Sequence, residues 1–247
     1  MVQSPPRSAE QRSERRPSRG AAGFLRDLVI IVVVAVLASF LIKTFLIRSF
    51  YIPSGSMENT LQVGDRILVN ELVPGLIPLQ RGDVIVFKDP GGWLEGDPIV
   101  PAPSNPISAA GDWVLSLVGL STQDANDHLV KRVIGLPGDH VTCCNALGQL
   151  SVNGVPLKEP YVLLNPGSDA VSGVPFDVHV PKGGLFVLGD NRFNSKDSRF
   201  QTDTPSKGFV PIKDVVGRAF VVSWPISHWS WLSDYPDTFD GVKSGSG

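Results

Sequence analysis

The 247-residue sequence predicts a mainly β, antiparallel domain behind a single long apolar helix, and three observations carry that expectation. Short β-branched runs bounded by Gly, Pro or Asp recur from residue 66 to residue 224. Beyond residue 50 no strong amphipathic helix interrupts them. One nearly unbroken apolar stretch precedes them all.

The elements follow in chain order. Residues 1–27 hold Arg7, Arg12, Arg15, Arg16, Arg19 and Arg26 among Ser, Pro and Gln, the composition of a basic disordered tail. From Leu28 to Ile42 every residue but Ser39 is apolar, and after Lys43 and Thr44 the run resumes through Phe45, Leu46 and Ile47. Read as one helix over 28–47, it is long enough to span a bilayer core at ~1.5 Å per residue. The apolar stretch continues past Val36-Leu37-Ala38, where small residues would suit a cleaved leader, so an uncleaved single-pass anchor in a lipid bilayer is expected. The arginines before it place the N-terminus in the cytoplasm and residues 50–232 on the extracytoplasmic side of the plasma membrane.

Strands are expected at 66–70, 83–87, 129–134, 150–152, 185–188 and 215–224, and Asn153-Gly154 signals a hairpin returning through Val155 to Leu157. Asp112 can cap a short helix over Trp113 to Val118. Residues 89–127, rich in Pro, Gly, Ser and Asn, read as an irregular insertion whose apolar patch from Trp113 to Leu120 covers part of the core. Residues 233–247 end in Ser-Gly-Ser-Gly and are expected to be flexible. No internal repeat is present.

Charge and composition narrow the function. Residues 1–50 carry eight Lys+Arg against three Asp+Glu, which leaves 14 against 21, a net −7, for the remainder. Such an acidic domain is a poor nucleic-acid partner. No metal-ligand spacing and no Gly-rich phosphate loop is present, so no cofactor is expected. Cys143 and Cys144 are adjacent, and across a trans peptide their Cα atoms lie ~3.8 Å apart, short of the usual disulfide range. Two reduced thiols are the default.

Three clusters carry candidate chemistry. Ser54-Gly55-Ser56 follows the apolar stretch closely. In an extended segment its two hydroxyls share a face, so Ser56 can act as a nucleophile while its own N–H and the Ser54 hydroxyl form an oxyanion hole. By itself a Ser-Gly-Ser is more often a plain turn. Lys131 lies in an apolar strand, where loss of water favours the neutral amine; acting near neutral pH needs a depression of roughly 2–3 units from ~10.4. The bland alternative is an edge-strand lysine that discourages aggregation. The four histidines form no recognisable triad motif, and G-x-S-x-G is missing. Finally, residues 189–199 crowd donors, acceptors and charges into one loop, with Asp197 and Arg199 spaced for an ion pair and Ser195 available to orient a dry lysine.

Taken together, I-P-S-G-S-M-E-N-T-L at 52–61, V-G-D-R-I-L-V at 63–69, R-G-D-V-I-V-F at 81–87, V-K-R-V-I-G-L-P-G-D at 130–139, G-D-N-R-x-N-S-x-D-S-R at 189–199 and G-F-V-P with V-G-R-A at 208–219 resemble the bacterial type I signal peptidases, membrane-anchored serine proteases. The resemblance covers most of residues 50–220. It implies two antiparallel β-sheet regions, with Ser56 as nucleophile, Lys131 as general base, Ser54 as the oxyanion-hole hydroxyl and Ser195 as the serine that orients the lysine. Gly189, Asp190, Asp197 and Arg199 support that loop. Ile52, Pro53, Met57, Leu129 and Val130 fall around pockets for small side chains at positions −1 and −3 of a signal peptide. The implied partners are the signal peptides of secretory preproteins, the bilayer and the secretion machinery. Lys196 adds a second amine, but a loop lysine is more easily hydrated than Lys131. Residues 89–127 match no part of the pattern.

The reach of the chain agrees, because Ser56 can lie at most about 30 Å past Ile47. Trp224, Trp229 and Trp231 suit either a membrane interface or the core. Two other classes stay open: a penicillin-binding-protein-like acyltransferase, which needs a lysine three residues after the serine where Asn59 stands, and an inactive membrane-tethered β-domain that binds exported chains.

Overall fold

The structure, a computed structural model, describes residues 21–94, 127–243 and 245. The chain divides into two compact units, Met1–Ile42 and Lys43–Gly247, each described by itself.

In the first unit a helix, α1 (Ala21–Phe45), takes up the apolar stretch. It begins inside the segment expected to be a disordered tail. It also stops short of the expected end at residue 47, because Ile47 opens a strand instead. Side chains are described for residues 23–37 of α1, where Phe24, Leu25, Ile31 and Val36 are exposed. Among the described residues, no helix is long and apolar enough to cross a membrane.

Beyond the end of α1, the described residues of the second unit are mainly β. Its strands are β1 (Ile47–Tyr51), β2 (Arg66–Asn70), β3 (Val84–Lys88), β4 (His128–Gly135), β5 (His140–Cys143), β6 (Leu150–Val152), β7 (Val155–Pro156), β8 (Phe176–His179), β9 (Gly184–Leu188), β10 (Val210–Pro211), β11 (Val215–Trp224) and β12 (Ser230–Trp231). They form two antiparallel sheets. The larger runs β1-β2-β11-β3-β4-β9-β10, with β12 added to β11, and the smaller runs β7-β6-β5-β8. The two-residue hairpin at Asn153-Gly154 is present, both residues having positive φ (52° and 79°), the conformation that Asn and Gly tolerate best.

Three apolar clusters hold the domain. Ile52, Met57, Leu61, Ile67, Val84 and Val222 form one, and Ile85, Phe87, Trp93, Val133, Val187 and Val210 another. In the third, Ile134, Phe186 and Leu188 of the large sheet meet Val141, Leu150 and Val152 of the small one. Each such buried side chain contributes about 1.5–3 kcal/mol relative to exposure. The third cluster therefore fixes the two sheets against each other.

Two expectations about the ends of this unit change. The first residues of the 89–127 insertion belong to the core. Asp89 accepts hydrogen bonds from the N–H groups of Gly91, Trp93 and Leu94, and Trp93 is buried with its indole N–H on Ser206 Oγ (3.0 Å). The expected Asp112 cap and the Trp113 to Leu120 patch lie outside the described residues. Likewise the tail expected to be flexible from 233 is fastened over its described part. Thr238 and Phe239 are buried on a short 3-10 turn, and Lys243 C=O accepts from Asn153 Nδ2 (2.8 Å). Phe239 fills a gap in the third cluster, a tertiary reason that its local sequence does not announce.

Cys143 and Cys144 are bonded to each other, which corrects the expectation of two thiols. Their peptide is cis and their Cα atoms are 3.0 Å apart, so the trans spacing assumed above does not apply.

Candidate active site

After β1 the chain stays extended through Ser54 (φ −128°, ψ 154°) and then tightens into one 3-10 turn over Gly55–Met57. That corrects the expected extended Ser54-Gly55-Ser56. The turn nevertheless brings the two hydroxyls together, with Oγ atoms 3.4 Å apart, Ser56 buried and Ser54 exposed. The turn is held by Leu61 N–H on the Met57 carbonyl (2.8 Å) and by Asn191 N–H on the Ser56 carbonyl (3.1 Å). Met57 and Leu61 anchor it in the core at 0% exposure.

Lys131 reaches the same point from β4. This is an interior strand, paired with β3 on one side and β9 on the other, so the edge-strand reading of the lysine falls. Its side chain is buried at 4% exposure, and Nζ donates to Ser56 Oγ (2.8 Å) and to the Val130 carbonyl (3.0 Å). An amine hydrogen-bonded to a hydroxyl, both buried away from bulk water, is the geometry in which a neutral lysine can take a serine's proton. Lys196, by contrast, is exposed.

The loop 189–199 packs against this pair. A Cβ at Gly189 would collide with Ser195 Oγ and with the Ser56 carbonyl, so only glycine lets the three segments converge. Gly189 N–H donates to Asp197 Oδ2 (3.0 Å). Asp197 and Arg199 make a buried two-pronged ion pair, Nε–Oδ1 and Nη2–Oδ2 both 2.8 Å, and Arg199 also donates to the Arg192 carbonyl and Ser172 Oγ. Ser195 is buried beside Gly189, but the expected hydrogen bond to Lys131 is not formed: Ser195 Oγ has no hydrogen-bond partner among the described residues. The Val130 carbonyl and Ser56 Oγ engage the amine instead.

The pocket residues separate into two groups. Ile52, Met57 and Val130 share one apolar cluster, with Pro53 exposed beside Ile52. Leu129 packs in the other, with Ile85, Phe87 and Trp93, because successive strand residues point to opposite faces.

Sequence reasoning missed the ionic support beneath the pair. Arg132, next to Lys131 on β4, is 0% exposed and grips Asp190 with two bonds, Nε–Oδ1 2.9 Å and Nη2–Oδ2 2.7 Å. Its third nitrogen donates to the carbonyls of Gly82 (2.7 Å) and Ser233 (3.0 Å), and its plane lies over the Tyr161 and Tyr235 rings at 4.1 and 5.3 Å. Asp190 Oδ2 in turn accepts from Thr60 Oγ1 (2.5 Å), on the same turn as Ser56. Burial works against the Arg132 charge, but the Asp190 carboxylate more than offsets it, so the pKa is raised. Burial, reinforced by Glu159, likewise pushes the Tyr161 hydroxyl well above its ordinary range. A guanidinium in an apolar strand requires a carboxylate partner, and that rule was the available signal.

The family model described as "Signal peptidase, peptidase S26" matches residues 25–224. Signal peptidase I of Mycobacterium tuberculosis strain H37Rv is 40% identical over 240 residues, covering 90% of this chain and 79% of that protein. The probable signal peptidase I of Mycobacterium leprae is 40% identical over 228 residues, covering 83% and 78%. A crystal structure of a signal peptidase I from Enterococcus faecalis is 28% identical and covers 57% of this chain and 95% of that one; at a TM-score of 0.35 the likeness is too loose to argue from.

Proposed function

The chain belongs to the signal peptidase family, peptidase S26, and on that premise we propose that it removes signal peptides from exported preproteins with Ser56 as nucleophile and Lys131 as general base. The observation that carries this reading is the 2.8 Å contact between two buried groups, Ser56 Oγ and Lys131 Nζ.

The steps follow from that contact. The neutral Lys131 amine accepts the Ser56 hydroxyl proton as Oγ attacks the carbonyl carbon of the residue at position −1. The negative charge that develops on the carbonyl oxygen is met by the Ser56 N–H and the Ser54 hydroxyl, 3.4 Å from the nucleophile. The intermediate collapses as the Lys131 ammonium returns its proton to the departing amine, leaving the signal peptide as an ester on Ser56. Water, deprotonated by Lys131, then hydrolyses the ester. Ser195, whose buried Oγ has no hydrogen-bond partner among the described residues, positions the lysine by turning towards its Nζ, and Gly189, Asp190, Asp197 and Arg199 hold the loop that carries it. Ile52, Pro53, Met57, Leu129 and Val130 surround the pockets that admit small side chains at −1 and −3.

One assay decides this. Purified full chain cuts a secretory preprotein after a small residue, with the position read by mass spectrometry. Ser56→Ala and Lys131→Met each lower kcat by about 10⁴-fold or more. Ser54→Ala lowers it by about 10²–10³-fold. The rate rises with pH as the amine loses its proton. Undiminished cutting by either of the first two variants sinks the mechanism, and a folded but inactive wild type turns the reading towards a binding domain.

The apolar stretch taken up by α1 supports a membrane anchor, with the N-terminus cytoplasmic and residues 50–232 extracytoplasmic at the plasma membrane. Secretory preproteins, the bilayer and the secretion machinery are then its partners. Alkaline carbonate extraction tests it: full chain stays with the membrane pellet, while a chain lacking residues 1–45 is released. Release of the full chain refutes the anchor.

A further inference from the structure

The small sheet carries a second concentration of chemistry, remote in role from Ser56 and Lys131. β5 and β8 pair so that His140 stands opposite His179 and Thr142 opposite Asp177. Residues two apart on a strand share a face, so His140, Asp177 and His179 rise together on one side of the sheet, accessible to solvent. The two imidazole rings stack, centroids 4.1 Å apart and planes within 9°, and Asp177 Oδ1 lies 2.6 Å from His140 Nε2. One ligand atom from each of the three residues lies within 4.8 Å of the other two.

We propose that His140, Asp177 and His179 bind a divalent transition cation of the Zn²⁺ type. The donor set is two imidazole nitrogens and one carboxylate oxygen, which suits borderline cations; Mg²⁺ and Ca²⁺ require shells of oxygen. Metal–ligand bonds of about 2.0–2.2 Å put neighbouring ligand atoms roughly 3.3 Å apart in a tetrahedron. Occupancy therefore needs Asp177 to draw back from His140 and the rings to splay slightly. Exposed side chains make such rotations within nanoseconds.

The backbone beneath need not move. His140 N–H donates to Asn153 Oδ1 (2.8 Å), and the His140 carbonyl accepts from Asn153 N–H (2.8 Å), which fixes β5 to the hairpin. Three protein ligands leave the outer coordination positions to water or to an incoming donor. The exposure of Asp177 and His179 leaves room for them. The alternative is a His140–Asp177 hydrogen bond beside a His140–His179 ring stack, and metal titration separates the two.

Isothermal titration of the untagged full chain with ZnCl₂, in detergent at neutral pH without reductant, tests the site. Expected is one Zn²⁺ per chain, not displaced by excess Mg²⁺ or Ca²⁺. Asp177→Asn and His179→Ala each weaken binding by at least about 10-fold, comparable to or beyond the loss seen on removing a metal's supporting groups. The double variant His140→Ala/His179→Ala abolishes saturable binding while thermal melting shows that it remains folded. Co²⁺ added to the wild type gives a visible absorption band that the double variant lacks. No saturable heat with the wild type, or equal affinity in Asp177→Asn and wild type, overturns the proposal and leaves a cross-strand ion pair beside a ring stack. Preprotein cleavage is unchanged in all these variants, so the outcome is independent of the Ser56 mechanism.

Discussion

The two sheets treat polar side chains in opposite ways. Where the large sheet meets the Ser56 turn, Lys131, Arg132, Asp190, Asp197 and Arg199 are all buried, and the arginines and aspartates meet in doubled, charge-assisted bonds. On the small sheet His140, Asp177 and His179 lie in reach of water, and the His140–Asp177 pair has side chains 37% and 73% exposed. Buried charges must be matched or they cost several kcal/mol, whereas exposed ones are screened. The first region is thus rigid by necessity, and the second is free to rearrange around a ligand.

The sharpest way to break this contrast is to remove one member of a buried pair. Arg132→Met takes the guanidinium from the buried Asp190 carboxylate, and a loss of about 3–5 kcal/mol is expected, measured by urea denaturation. Cleavage should fall as well, because Thr60 and Asp190 tie the nucleophile's turn to β4. A loss near zero would mean that the cluster relaxes and that its burial is not what holds the turn.

An intermediate effect belongs to Asp139, at the junction between β4 and β5. Burial tends to raise its pKa, but the Arg81 guanidinium (2.7 and 2.6 Å), the Leu136 N–H and the Asn153 amide outweigh burial and lower it. A carboxylate depressed in the folded state adds stability above its unfolded value of about 3.9, and that stability is lost as pH falls through the folded pKa. Thermal melts should therefore drop below about pH 4, and Arg81→Ala should flatten that drop. Unchanged acid sensitivity in Arg81→Ala would assign the loss to other carboxylates.

The smallest effect is expected on the exposed face. Asp177→Ala should change stability by no more than about 1 kcal/mol in metal-free buffer, by the same denaturation measurement. A larger loss would make the small sheet as dependent on its polar groups as the large one.

How far the sequence reveals this arrangement differs by element. β2 and β6 have the expected limits, since Arg-Ile-Leu-Val-Asn is a short apolar run closed by polar residues and Leu-Ser-Val alternates. β1 was hidden because Phe45-Leu46-Ile47 prolongs the apolar run, and within such a run periodicity cannot separate helix from strand. β5 and β8 are four residues each and interleave His, Thr and Asp with apolar residues, so neither stood out. The Ser54, Ser56 and Lys131 cluster was legible from residue types and from the resemblance together. The Arg132–Asp190 pair spans 58 positions, and Ser195 failed to make its expected bond; both depend on packing that spacing alone does not encode.

The shell around Arg132 has one more consequence. Its carbonyl partner Ser233 lies 101 positions downstream, and Tyr235 covers its plane. A chain emerging residue by residue holds this guanidinium incompletely sheltered until Ser233 and Tyr235 arrive, since contacts so distant in sequence close late. The ionic support beneath Ser56 and Lys131 is therefore complete only once a segment about a hundred residues beyond β4 has joined it.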